Sequence, residues 1–235
     1  GDFSTSTCSG SALSNGQWNV GQSYSSALVL GSNVIFVASV AGASPNPSTY
    51  TVTVTGNISN SVSQMETLVR SASSNTAWFV LPDYRGPYHT PAVKCGGVNA
   101  AELSDYSAGG FVLGSLFNIQ NQLLDTSSSI SQSDCGNPTG ISGTIVALAG
   151  PGVNEVVRYY EQTAALTPVY FLWDGAQNNF VVRETGQRYS LSTASGADYF
   201  LIEAFTDGFA RHVFVLYGFS WQGTLAAGVF FQAYM

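Results

Sequence analysis

Residues 144–162 read TIVALAGPGVNEVVRYYEQ: an apolar run, a Gly-Pro-Gly turn and an amphipathic run in direct succession. An apolar run without alternation is what a strand looks like when both sheet faces are covered. Val156, Val157 and Tyr160 then recur at helical spacing. Strand, glycine-rich turn and helix in that order are also the local form of a dinucleotide site. Gly150 and Gly152 would be its first two glycines, and Asp174, 22 residues after Gly152, would be its ribose-binding acid. The third glycine position, however, holds Glu155. Its carboxylate is expected in the first helical turn, where it would compete with a diphosphate for the positive helix end. Pro151 removes one backbone donor as well. The stretch therefore reads as architecture, with Asn154 as the helix N-cap and Gly152 permitting the turn.

Outward from this stretch the pattern continues as strands PVYFLWD, NFVVRET, RYSLS, DYFLIEAF and HVFVLYG and a closing helix SWQGTLAAGVFFQAY. This half reads as α/β, a mixed sheet with two packed helices. Towards the N-terminus, STYTVTVTG alternates Tyr50, Val52 and Val54 with threonines, and ALVLGSNVIFVASV and NTAWFVLPDY are further strands. Val112, Leu113, Leu116, Phe117, Leu123 and Leu124 predict a helix over about 108–125. The expected class is α+β, a strand-rich N-terminal half followed by the α/β half. Its expected divisions are a Ser/Gly-rich arm over 1–26, a strand-rich region over 27–140 and a final domain over 141–235, with SSSISQSDCGNPTG as the boundary loop.

Composition narrows the partners. Charged residues make up 9% of the 235, against roughly a quarter in an average domain, so Ser, Thr, Asn, Gln and Gly must carry solubility. That balance suits secreted and cell-surface proteins. Seven scattered Lys and Arg against 14 acids give a net charge of −7, which lacks the basic footprint a nucleic acid requires. No apolar run approaches the roughly 20 residues of a membrane span, and a start at Gly1 is what signal-peptide removal would leave. Cys8, Cys95 and Cys135 have no zinc spacing. In an oxidising compartment Cys95 and Cys135, both in Gly-rich loop sequence, are the expected disulfide pair, and three reduced thiols are the alternative. Asn57-Ile58-Ser59 is the single glycosylation sequon not blocked by proline.

Other enzyme readings fare no better. GFSWQG over 218–223 has the outline of a nucleophile elbow around Ser220, but Gln222 stands where glycine is needed, and no Asp, Glu or His follows. His89 and His212 both precede it. A carboxylate pair for glycoside chemistry would come from Asp83, Asp105, Asp134, Glu203 or Asp207. Loop acids of this kind could also ligate Ca²⁺, although no EF-hand spacing appears.

The two glycine-bearing segments, taken together, resemble the paired motifs of archaeal S-layer and related cell-surface proteins. The first is Gly150, Pro151, Gly152, Val153 and Asn154 opening a helix, and the second is Gly218, Gly223, Thr224, Ala226 and Ala227 opening the last helix. GQRYSLSTASGADYFLIEAF between them is similar to the hairpin and strand of that family, so the likeness covers about residues 143–233. It implies an extracellular, non-catalytic scaffold without cofactor. The chain is shorter than a lattice subunit of that family. The expected function is thus a surface protein that self-associates into a layer or filament, with residues 1–26 either adding a strand to a neighbour's sheet or packing on their own domain. The alternative is a secreted hydrolase or glycan-binding module using the loop acids.

Overall fold

The computed structural model describes residues 17–20, 29–30, 33–41, 49–53, 69, 77–85, 101, 103–113, 119–192 and 197–234. Its first elements are strands β1 (Gln17–Val20), β2 (Val29–Leu30), β3 (Asn33–Ala41), β4 (Thr49–Thr53) and β5 (Ala77–Leu81), then helix α1 (Leu103–Leu113) and β6 (Ile119–Leu124). There follow β7 (Thr144–Leu148) and α2 (Glu155–Arg158), which runs on into a π turn over Tyr159–Thr163. Strands β8 (Val169–Trp173), β9 (Gln177–Val182), β10 (Arg188–Ser192), β11 (Ala197–Thr206) and β12 (His212–Gly218) precede α3 (Trp221–Tyr234).

Among the described residues, nine strands form one mixed sheet in the order β1-β4-β3-β11-β12-β7-β5-β6, with β2 on β3. The run β12-β7-β5-β6 is parallel, and β11 lies antiparallel between β12 and β3. The α+β class expected from the sequence is the observed one. Strands β8–β10 form a second, antiparallel sheet of their own, in the order β10-β9-β8.

Period-two geometry divides each long strand between two cores. Val146, Leu148, Phe200, Ile202, Phe214 and Leu216 face α1 and α3. Ile145, Ala147, Leu201, Phe205, Val213 and Val215 face α2, its π turn and the small sheet. All five residues of β7 are buried, as the unbroken apolar run required. The β5–β6 connection uses α1 on one face, and the β7–β12 connection carries α2 and the small sheet on the other. Crossovers leaving in opposite directions occupy opposite faces when both are right-handed.

Two expectations need correction. The helix placed over 108–125 ends at Leu113, and 119–124 is strand β6. Leu124 packs into one core and its neighbour Leu123 into the other, which is a strand's alternation and which apolar spacing alone did not separate from a helical face. The division at residue 140 is crossed by the sheet itself: β5 pairs with β7 from Ala77↔Thr144 to Val80↔Ala147, and β3 pairs with β11. The Ser/Gly/Asn-rich loop is tied down rather than a linker. Ser131 and Asn137 form a bridge, and buried Arg211 donates to the Pro138 and Ile141 carbonyls at 2.6 and 2.8 Å.

Glycine sets how closely α3 approaches. A Cβ on Gly218 would lie 2.2 Å from the Cα of Gly223, and one on Gly228 would lie 2.6 Å from the Ala108 carbonyl oxygen. The α3 helix thus meets α1 closely at Gly228. A Cβ on Gly152 would meet nothing within 4 Å. Gly218→Ala is expected to lower unfolding free energy by about 2–3 kcal/mol through overpacking, whereas Gly152→Ala should stay within about 0.5 kcal/mol of the parent. Urea denaturation midpoints of the two variants check the contrast.

Candidate functional site

The carboxyl ends of adjacent parallel strands are where open α/β sheets place ligands. Here β7 and β12 end beside each other, each turning into a helix, and a cleft of about 220 Å³ opens between the turns. Its walls include Gly150–Val153, Phe171, Tyr217, Phe219, Trp221 and, from the first turn of α1, Asp105. The geometry resolves into two turns, and each is held by buried acids.

The first turn joins β7 to α2. Asn154 caps the helix: its Oδ1 accepts from the Val156 and Val157 amides at 2.9 and 3.3 Å. Its Nδ2 donates to the Val80 and Leu148 carbonyls, so one side chain joins the helix start to β5 and β7. The left-handed backbone sits at Ala149 (φ 75°), one step before the glycines and not at Gly152, which was expected to permit the turn. Gly150 is needed for contact instead, since a Cβ there would lie 2.9 Å from the Tyr217 ring. A strained non-glycine position of this kind costs on the order of 1–3 kcal/mol and persists only where packing enforces it.

The acid that serves this helix start is Asp125, at the end of β6, and not Glu155. Asp125 Oδ2 accepts from the Glu155 amide and Oδ1 from the Asp83 amide, both at 2.9 Å. The Glu155 side chain is buried, and neither carboxyl oxygen has a hydrogen-bond partner. Burial pushes its carboxyl up to about 7, with the Asp125 charge adding and Arg158 opposing. Burial likewise raises Asp125 to about 6 against the pull of its two amide donors.

The second turn joins β12 to α3. Asp198, at the start of β11, takes five donors. Its Oδ1 accepts from the Tyr199 and Phe219 amides at 2.7 and 3.1 Å. Its Oδ2 accepts from the Ser220 amide, the Ser220 hydroxyl and the Gly223 amide at 3.1, 2.5 and 2.8 Å. A Cβ on Gly223 would lie 2.7 Å from that same oxygen, so the glycine admits the carboxylate. Burial lifts Asp198 to about 6, with the Ser220 and Gly223 donors opposing. Thr224 Oγ1 accepts from the Gly218 amide and donates to the Ser220 carbonyl. The Ser220 hydroxyl also lies within hydrogen-bonding distance of Gln222 Oε1. The Ser220 and Thr224 hydroxyls in the cleft wall are therefore engaged in the turn, Ser220 with the Asp198 carboxylate and Thr224 with the Ser220 carbonyl.

The remaining expected acids are dispersed. Asp83 pairs with Arg85 at 2.5 Å and accepts from the Thr126 hydroxyl. Asp134 Oδ2 accepts from Asn137 Nδ2, and Asp174 caps the exposed β8–β9 hairpin through the Ala176 and Gln177 backbone amides. Asp174 thus follows a strand of the small sheet and not the next strand of the main one, where the dinucleotide pattern would place its ribose-binding acid. Asp207 pairs with Arg211 at 2.6 Å and accepts from the Tyr160 hydroxyl at 2.9 Å. Glu203 lies buried beneath β8. Only Asp105 among them lines the cleft. Cys135 is buried with a left-handed backbone (φ 59°), while Cys8, Cys95, His89 and Asn57 lie outside the described residues. No group of three or more His, Cys, Asp or Glu among the described residues is placed to hold a metal ion, and no helix there is long and apolar enough to cross a membrane.

Asp125 and Asp198 escaped sequence reading because their partners lie 30 and 22–25 residues further along the chain. The one signal was an acid in apolar surroundings, LLDT and DYFLIE. Compared with family models, curated proteins and solved structures, the chain matches none.

Three carboxyls whose pKa is raised on folding make stability depend on pH with a definite sign. Unfolded Asp and Glu titrate near 4, so this part of the stability is full below about pH 4 and is lost as pH rises through 6 to 7. The thermal midpoint is expected to fall between pH 4.5 and 7.5. Glu155→Gln should flatten the slope, as scanning calorimetry across that range would show.

Proposed function

We propose that the chain is an extracellular structural subunit that self-associates into a cell-surface layer or filament, and that it acts without a cofactor. The observation that carries this reading is the occupancy of the two helix starts beside the cleft. Amides that would greet an anionic ligand at a helix N-terminus are held by the chain's own carboxylates: Glu155 N by Asp125, and Ser220 N and Gly223 N by Asp198. The residues resembling S-layer motifs, Gly150, Asn154, Gly218, Gly223 and Thr224, lie in contacts that position helices on the sheet.

Low charge supports the same reading. A surface solubilised by Ser, Thr, Asn and Gln presents few charges to a second copy, and the repulsion from a net charge of −7 falls away towards the isoelectric point near 4.5. A disulfide between Cys95 and Cys135 and a glycan on Asn57 belong to the proposal, since both imply an exported chain.

Size-exclusion chromatography with negative-stain electron microscopy tests it: large regular assemblies are expected, and a monodisperse monomer that turns over a glycan substrate would overturn it. Residues 17–20 form β1 on β4 of the chain's own sheet, so the strand-adding segment of the proposal is residues 1–16, and deleting those should abolish assembly while leaving the folded subunit. Normal assemblies from the truncated chain would remove that part of the proposal.

A further inference from the structure

Strand β8 is an edge of the small sheet, paired only with β9. Its amides therefore alternate between β9 and the outside. An outward edge of this kind normally meets water, a covering element or another strand. Here two consecutive outward amides meet carboxyl groups from different elements. The Val169 amide donates to Glu203 Oε2 at 3.1 Å, and the Phe171 amide donates to Glu161 Oε2 at 3.0 Å. Glu203 projects from β11 and Glu161 from the π turn, and both are at least 98% buried.

The two acids have almost nothing to neutralise them. Glu203 Oε1 is buried without a partner, and Glu161 Oε1 accepts a short hydrogen bond from the Tyr217 hydroxyl on β12. Among the described residues, the single cation facing them is Arg183, just past the end of β9. Its Nε donates to the Thr167 carbonyl at 2.9 Å and its Nη2 to the Glu161 backbone carbonyl at 2.8 Å, and its guanidinium lies 4.6 Å from the centre of the Tyr170 ring. Neither acid takes part in an ion pair; those among the described residues are Arg85–Asp83 and Arg211–Asp207. Two carboxylates in a dry interface cannot both ionise without large cost, so such a site keeps a proton.

We propose that Glu161 and Glu203 form a proton-held latch that fastens the small sheet to the main sheet through the edge of β8, and that losing the retained proton releases that edge. With one carboxyl neutral, each acid accepts its amide and the pair carries a single charge, which Tyr217 and Arg183 offset. With both charged, repulsion and desolvation act on the same two contacts, and the sheet edge parts from Glu203 and Glu161. The direction of titration agrees: burial raises Glu203 well above the ordinary carboxylate range, with the Glu161 charge adding, and raises Glu161 to about 7. Burial and both acids hold Tyr217 in its neutral, donating form. Because the folded state retains protons the unfolded chain has lost, the latch is firm at acidic pH and loosens as pH rises past neutrality. This inference does not depend on the chain forming a layer or filament.

Hydrogen exchange resolved at single amides, normalised to the intrinsic rate at each pH, tests it on the intact chain. Protection of the Val169 and Phe171 amides should fall at least tenfold between pH 5 and 8.5, while the Phe180 amide on β9 changes less than threefold. Glu203→Gln keeps an acceptor for the Val169 amide but cannot ionise, so it should retain the pH 5 protection at pH 8.5. Equal protection at both pH values, uniform loss across β8 and β9, or a Glu203→Gln variant that tracks the parent would each overturn the latch. Should that variant not fold, the parent's contrast between β8 and Phe180 decides alone.

Discussion

Five donors converge on the Asp198 carboxylate, and the placement of α3 follows from that convergence. The amides of Tyr199, Phe219, Ser220 and Gly223 and the Ser220 hydroxyl all point inwards at the start of the helix. A buried carboxylate without partners would cost several kcal/mol. One that satisfies four backbone amides, two of them at a helix start, becomes the means of fixing that helix to β11 and β12. Gly218 and Gly223 are the steric counterpart, since any side chain at either would push the turn off the acid. Asp125 does the same for α2, joining the ends of β5 and β6 to the first helical amide.

The same chemistry recurs on the other face of the sheet, where Glu161 and Glu203 hold strand amides. Buried acids in this protein answer backbone donors more often than cations. Arg158 and Arg183 follow the complementary rule, donating to the Pro151, Thr167 and Glu161 carbonyls. With only seven Lys and Arg in the chain, backbone groups are the partners most readily available. A carboxyl held by amides still titrates, and burial moves it upwards, so these acids carry a pH dependence opposite in sign to that of an ion-paired core.

How much of this was legible in the sequence depended on the range of the interaction. Local signals served well. The unbroken apolar runs of β7 and β12 announced strands covered on both faces, and Asn154 at the head of an apolar-periodic segment announced a cap whose two amide contacts lie within three residues. Where a signal was ambiguous in period, as with Leu123 and Leu124, spacing favoured a helix and only the two-sided core revealed a strand. Long-range contacts left little trace. The ties of Asp125 to residue 155 and Asp198 to residue 223 depend on strand order, which no single segment encodes. Glu203 came nearest to being readable, as an ionisable residue inside DYFLIEAF, but the edge it covers belongs to a strand 34 residues away. The π turn that directs Glu161 to the same edge has no sequence signature here.

The pH dependence of the fold and the low charge of the surface also bear on each other. The calculated isoelectric point is near 4.5, so the repulsion between copies weakens as the medium becomes more acidic. Over the same descent the raised carboxyls of Asp125, Glu155, Glu161 and Asp198 regain their protons and the folded state strengthens. Most proteins lose stability on acidification because paired carboxylates must be neutralised. At these four acids burial outweighs the groups that favour the charged form and offsets that loss, whereas Asp207, paired with Arg211, follows the ordinary rule. The weaker repulsion and the firmer fold pull in one direction, and both arise from having few bases and several acids buried without them.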